Sequence, residues 1–224
     1  MPDCWQILLD IFFPVVCIEC KQRISEGLLC PACRKKLEDF RMLQPKDYCC
    51  KDIDGICLLY RYDESIKKAL HDVKFRRKKR LVAGMAEEMS ILESPKLICS
   101  LWHLPEKILV VPVPTDRERV RQRGYDVPYG IFNQWSLKQG FTWYEALERI
   151  RPTRPQFALD RSERRKNVHG CFTASKDIRG KQVLLVDDIF TSGATAQEAA
   201  HVLHQQGADH IWVMAFAGGG DGGK

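Results

Sequence analysis

No run of this 224-residue chain is long and apolar enough to span a bilayer, so membrane insertion is not expected. The start supplies no good secretion signal either. Ile7 to Val16 is interrupted by Asp10 and Pro14, and no basic residue precedes it. A cytoplasmic protein is the expectation. No internal repeat is visible. No covalent nucleophile stands out, and no set of residues can be pointed to as a nucleobase pocket. Acidic residues are outnumbered, 29 against 35 lysines and arginines. What is present is an ordinary globular composition, 45% hydrophobic and 29% charged. The length suits one good-sized domain, or one domain and a small module.

Charge and cysteine are both unevenly spread. Residues 1–58 carry 8 Lys+Arg against 9 Asp+Glu, whereas residues 59–224 carry 27 against 20, so the larger part holds the basic excess. A phosphorylated ligand, a nucleic acid or a solvated basic surface would each suit that balance. Of the ten cysteines, Cys4, Cys17, Cys20, Cys30, Cys33, Cys49, Cys50 and Cys57 lie in the first 57 residues. In a cytosolic chain such density argues for metal rather than disulfides. Cys17-x2-Cys20 and Cys30-x2-Cys33 are two knuckles, and two such pairs complete a tetrahedron of thiolates. Zinc suits that set, with an iron–sulfur centre as the other occupant. Four thiolates leave no open position, so the site is expected to be structural. Cys4, Cys49, Cys50, Cys57, Cys99 and Cys171 are read as non-ligands. His201 and His204 share a helix, and are expected on its outer surface.

The expected organisation is a cysteine module over residues 1–58, an α/β domain over 59–217 and a flexible tail over 218–224. Ile66, Ala69, Leu70 and Val73 fall at helical spacing, and a second helix is expected over Leu81 to Leu92. Ile108 to Val113, Val183 to Val186 and Ile211 to Phe216 read as buried strands. Gly124 to Gln139 reads as mostly helix. Asp160 with Glu163 forms a capping-box start, and Ala196, Ala199, Ala200 and Leu203 make a helix face that stops at Gly207. Strands alternating with helices imply a parallel sheet covered on both faces.

The chemistry concentrates at Asp187-Asp-Ile-Phe-Thr-Ser-Gly-Ala-Thr195. Two carboxylates end a strand, and a hydroxyl-rich loop leads into a helix. Carboxylates can accept hydrogen bonds from vicinal hydroxyls, and the amides and hydroxyls of a helix start can hold a phosphate. Gly193 is expected to let the backbone approach a ligand closely. Three basic strings accompany this loop. Arg117, Arg119, Arg121 and Arg123 alternate, so an extended chain would place them on one side, whereas a helix would scatter them. Arg151 to Gln156 continues into Arg161 to Val168. Lys74 to Arg80 has six basic residues in seven. Arginine forks suit pyrophosphate and nucleic-acid backbones alike. Phe75 and Tyr125 could stack on bases, with a core role expected for Phe75.

The string from Asp187 to Thr195 closely resembles the signature of type I phosphoribosyltransferases, which bind 5-phosphoribosyl 1-pyrophosphate (PRPP). Pro112-Val-Pro114, Arg121-Gln-Arg-Gly-Tyr125, Pro155-Gln156 and Arg161 to Val168, taken in order with the cysteine knuckles, resemble the ComF family. Its ComFC-type branch joins a zinc module to a phosphoribosyltransferase-like domain. The resemblance runs from about Cys17 to Ala217. It departs from the family pattern at Asp126, Val127 and His169, which stand where Asn, Gln and Arg are usual.

The resemblance implies a phosphoribosyltransferase-like parallel sheet with helices on both faces, preceded by a zinc-knuckle module. It implies that Asp187 and Asp188 meet the ribose and act as catalytic residues, if there is turnover. It also implies that Thr191, Ser192, Gly193, Ala194 and Thr195 hold the 5-phosphate, and that Arg121 or Arg123 contacts pyrophosphate or nucleic acid. Mg²⁺ would accompany PRPP, and structural Zn²⁺ would sit on Cys17, Cys20, Cys30 and Cys33. The implied role is handling of single-stranded DNA in natural transformation, beside a helicase-type partner. A salvage phosphoribosyltransferase and a non-catalytic PRPP-sensing regulator remain the alternatives.

Overall fold

A computed structural model describes residues 14–105, 107–154 and 159–219. Cys4, Asp10, Pro155, Gln156 and the tail beyond residue 219 lie outside the described residues. The chain enters through helix α1 (Pro31–Leu37), strand β1 (Glu38–Leu43), a single 3₁₀ turn (Pro45–Tyr48) and β2 (Gly55–Arg61). Helices α2 (Glu64–Phe75), α3 (Lys79–Ile91) and α4 (Ser94–Leu101) follow, then β3 (Leu109–Pro112), α5 (Arg117–Arg123), α6 (Val127–Lys138) and β4 (Thr142–Trp143). After β5 (Leu147–Arg149) come α7 (Arg161–Val168), β6 (Phe172–Ala174), β7 (Gln182–Phe190), α8 (Ala194–Gln205) and β8 (His210–Gly218).

Six strands form one sheet in the order β1-β2-β8-β7-β3-β4. All neighbours are parallel except β1 with β2. β5 and β6 make a separate antiparallel pair. The near-continuous apolar run of β7 follows from burial on both faces. Leu184 and Val186 pack with α2, α3 and α6 through Leu70, Met85 and Phe132. Val183 and Leu185 pack with α8 through Ala196, Ala199, Ala200 and Leu203.

The boundary expected at residue 58 falls inside β2, which pairs with β8 from Gly55 to Arg61. All of β1 and the start of β2 therefore belong to the main sheet, and Cys17, Leu29, Cys30 and Leu37 share the core of α2, α3 and α6. At the other end, Gly218 is not tail but the last residue of β8, paired with Arg61 and Phe190.

The topology also places a crevice. From β3 the chain crosses through α5 and α6 to β4 on one side, and from β7 it crosses through α8 to β8 on the other. β3 and β7 are neighbours, so their carboxyl ends form a topological switch point, where open α/β sheets bind ligands.

Candidate functional site

The β3–β7 pairing stops at Pro112 and Val186, closed by the Val113 amide on the Val186 carbonyl at 2.9 Å. β7 runs on to Phe190, paired only with β8. Asp187 and Asp188 are thus inside the strand rather than after it, on the stretch that projects past β3. Strand alternation sends their side chains to opposite faces. Asp188 is 5% exposed, and its Oδ2 meets the Lys74 ammonium of α2 at 2.6 Å. Asp187 Oδ1 accepts the Asp188 amide at 2.8 Å. Burial, and then the Asp188 charge, hold the Asp187 carboxyl well above the usual carboxylate range.

Thr191, Ser192 and Gly193 turn the chain from β7 into α8, with Thr195 in the helix's first turn. Gly193 is the N-cap and offers no side chain to the free amides, so they stay open to an anion. Its φ of 75° favours glycine. Its open side, however, is packed. A Cβ there would lie 2.9 Å from Cys50 Sγ and 3.3 Å from Tyr48 Cβ. Glycine at this position thus accommodates Cys50 and the 3₁₀ turn. Cys50 is a packing residue beneath the loop, a role its sequence context does not show.

The arginines between Arg117 and Arg123 are helical, not extended. Asp116 caps α5 by accepting the Arg119 amide, and Glu118 bonds Arg121 and Gln122 within the helix. The helix scatters the four side chains. Arg117 pairs with Glu148 at 2.8 Å, Arg119 donates to the Thr153 carbonyl at 3.3 Å, and Arg121 pairs with Glu118 in solvent at 3.1 Å. Arg123 alone of the four turns inward. Its Nε and Nη2 are buried without a hydrogen-bond partner, and its guanidinium lies 5.9 Å from the Tyr125 ring centre. Burial pushes its pKa down, while the Asp126 and Asp188 charges oppose that shift. A part-buried cation with unpaired donors, in the field of Asp126 and Asp188, is suited to a phosphate.

The second basic string is divided. Arg161 and Arg165 donate to the Asp47 and Tyr48 carbonyls, holding the 3₁₀ turn under the loop. Arg164 reaches Thr191 Oγ1 at 3.5 Å. The capping box at Asp160 and Glu163 is present. Sequence reasoning missed Lys74 as an individual, since nothing separates it from the other cations of its string. It also missed Arg149. From β5 this arginine donates to the Pro114 carbonyl at 3.0 Å, so the hairpin holds the loop after β3. A cavity of about 380 Å³ opens beside that loop, lined by Pro114, Thr115, Asp126, Tyr129, Glu148 and Arg149. Burial raises the pKa of Asp126, whose Oδ1 caps α6 by accepting the Tyr129 amide at 3.0 Å.

The cysteine knuckles also come together. A Val16–Arg23 bridge and a left-handed Lys21 fold the first knuckle into a tight turn. In the second, Cys30 caps α1, and Pro31 starts it. The sulfurs of Cys17, Cys20, Cys30 and Cys33 all lie within 4.8 Å of one another, and Cys20 and Cys30 are 3.7 Å apart. Two thiolates on one tetrahedral ion would be about 3.8 Å apart. The cluster could therefore hold a metal ion, and no other such group occurs among the described residues. His201 and His204 are exposed on α8, as their spacing suggests.

A family model described as a phosphoribosyl transferase domain matches residues 141–224. Among known proteins, the chain is 24% identical over 231 residues to Competence protein F of Haemophilus influenzae, covering 92% of this chain and 98% of that one. It is 25% identical over 217 residues to Competence protein ComFC of Bacillus subtilis, covering 86% and 79%. It is 26% identical over 156 residues to DNA utilization protein YhgH of Escherichia coli K12, covering 69% and 68%.

Proposed function

Since this chain is a ComF-type protein with a phosphoribosyltransferase-like domain, we propose that it is a competence protein whose β3–β7 crevice binds PRPP or a related ribose 5-phosphate. The observation that carries the reading is the acidic pair at the topological switch point, followed directly by the uncapped start of α8. Asp187 and Asp188 would accept the ribose hydroxyls, residues 191–195 would hold the 5-phosphate, and Arg123 would meet the pyrophosphate. Arg121, spent on Glu118 in solvent, is left out of that set. Mg²⁺ bound with the ligand would neutralise pyrophosphate charge. Zn²⁺ on Cys17, Cys20, Cys30 and Cys33 would be structural, since four thiolates leave no open position.

The relatives named for competence and DNA utilization, together with the basic surplus of the larger part, support a role in handling single-stranded DNA. The expected setting is the cytoplasm, beside a helicase-type partner. Calorimetry with PRPP and Mg²⁺ tests the core of this reading. The native chain should bind, and the double variant Asp187→Asn, Asp188→Asn should not. Unchanged affinity in the variant would remove the acidic pair from the site. Release of pyrophosphate, measured separately, reports on transfer.

A further inference from the structure

The corner between α2 and α3 carries a dense run of cations, Lys74 to Arg80. Of the six cations in Lys74 to Arg80, three meet carboxylates: Lys74 on Asp188, and Arg76 and Lys78 on Asp72 at 3.4 and 2.7 Å. Asp72 is buried, and it also supplies the carbonyl that takes the Arg76 amide, so the turn is shaped around it. The Lys78 ammonium lowers the Asp72 pKa most; burial opposes that shift, but with the other nearby cations the net pKa lies below the usual range. That arrangement holds Arg77 in the left-handed region at φ 55°, a conformation a non-glycine residue rarely adopts. Arg77 and Lys79 point into solvent and make no ion pair among the described residues. In the middle of this corner stands Phe75. Contrary to the core role expected from sequence, it is 53% exposed, with its ring 4.8 Å from the His71 ring.

An exposed aromatic side chain followed two and four residues on by unpaired cations, on an internally braced turn with a left-handed residue, fits one partner class well. Single-stranded nucleic acid offers both a phosphate chain for the cations and unstacked bases for the ring. We infer that the α2–α3 corner is a single-strand-binding surface in which Phe75 stacks on a base while Arg77 and Lys79 track the backbone. The inference rests on the nucleic-acid part of the reading above and gives it a place. That place adjoins the crevice, because Lys74, the residue before Phe75, is the one that grips Asp188. The Tyr125 hydroxyl also ties the Val73 carbonyl to the joint between α5 and α6 at 2.6 Å.

Fluorescence anisotropy with a labelled oligothymidine, on the full chain at several salt concentrations, tests the inference. Phe75→Ala and Phe75→Leu should each weaken binding about tenfold, the loss of one stacked base, and Phe75→Trp should restore it. Arg77→Ala should lower the slope of log affinity against log salt by about 0.7, one phosphate contact on a single strand, and Phe75→Ala should leave that slope alone. PRPP binding by calorimetry should be unchanged in Phe75→Ala. Native-like strand binding by Phe75→Ala would overturn the inference and leave the DNA role standing. Absence of any strand binding by the native chain at low salt would overturn both. Binding to anionic lipid vesicles that needs Phe75, with strand binding indifferent to it, would assign the corner to a membrane surface instead.

Discussion

Glu88 of α3 is the most heavily engaged buried side chain in the structure, and truncating it should be among the costliest single changes. The residue is 0% exposed and accepts five hydrogen bonds. Leu28 and Leu29 donate their amides at 2.7 and 3.0 Å, Arg34 donates Nε and Nη2 at 2.6 and 3.0 Å, and Tyr60 donates its hydroxyl at 2.6 Å. Glu88→Ala strips the partner from a buried cation, which typically costs about 3–5 kcal/mol. It also leaves two amides and a hydroxyl short of an acceptor, at roughly 1 kcal/mol or more each where water cannot enter. Two facts temper the sum. The Arg34 side chain is 15% exposed, and its Nη2 keeps the Leu29 carbonyl at 2.9 Å. A loss of about 4 kcal/mol is therefore expected, a large share of the ~5–15 kcal/mol that holds a domain folded. Glu88→Gln keeps the shape but turns one acceptor into a donor facing other donors, and should cost about 2–3 kcal/mol.

Urea unfolding under reducing conditions with excess zinc measures both variants, and a pH series adds a second readout. Burial alone would raise the Glu88 pKa, but Arg34, Tyr60 and the two amides outweigh it and hold the pKa below the usual value. A folded pKa depressed below the unfolded one means that the native chain binds fewer protons. The group's contribution is then complete above the ordinary carboxylate pKa of about 4.3, and is lost as pH falls through the depressed value. Glu88→Gln should lack that acid-limb loss. A Glu88→Ala chain within about 1 kcal/mol of native, with an unchanged denaturant slope, would refute the account of this network.

Three further outcomes follow from the site. Arg123→Ala should weaken PRPP binding by about tenfold or more, whereas Arg121→Ala should be near neutral, because only Arg123 has desolvated, open donors; calorimetry separates them. Gly193→Ala should destabilise the fold by about 2 kcal/mol, from a left-handed φ and a 2.9 Å approach to Cys50 Sγ. Part of that loss should return in the double variant with Cys50→Ala, read by urea unfolding. Metal analysis of the purified chain should find about one zinc per chain, and Cys30→Ser should lower it; a metal-free native chain purified without chelators would remove the knuckle reading.

The strands at the heart of the sheet were legible because burial on both faces writes itself as an unbroken apolar run, as in Val183 to Val186. The face of α8 was legible for the corresponding helical reason. β2 was not: Ile56 to Tyr60 is just such a run, but it sits among cysteines and reads as the edge of a metal module, when it is a central strand beside β8. The conformation of α5 was left open by the sequence, because alternating arginines mimic a strand period. The contrary signal was there, in Asp116 three residues before Arg119 and Glu118 spaced to meet Arg121 and Gln122. Within the candidate site, the acidic pair and the hydroxyl loop could be named from sequence. Lys74, Arg149 and Cys50 could not, because each acts across a long chain separation and belongs to a residue class that is common on surfaces or in cores.

Lys74 matters most for how the crevice would work on the proposed reading. Two adjacent carboxylates largely out of water are costly unless something offsets their charge. In the ligand-free chain the offset comes partly from a proton, which the raised pKa of Asp187 favours, and partly from the Lys74 ammonium on Asp188. Ribose hydroxyls approaching the pair would share its oxygens with that ammonium, and the 5-phosphate and pyrophosphate would arrive as new anions close by. Lys74 lies in the last turn of α2, and α2 is joined through the Asp72-braced corner to α3, whose Glu88 is in turn bonded to Leu28, Leu29 and Arg34 around the second cysteine knuckle. The cysteine cluster and the crevice are thus ends of one bonded path, with Glu88 and the corner between them. Through Glu88, the segment that carries the second knuckle braces the helix next to the one from which Lys74 reaches Asp188.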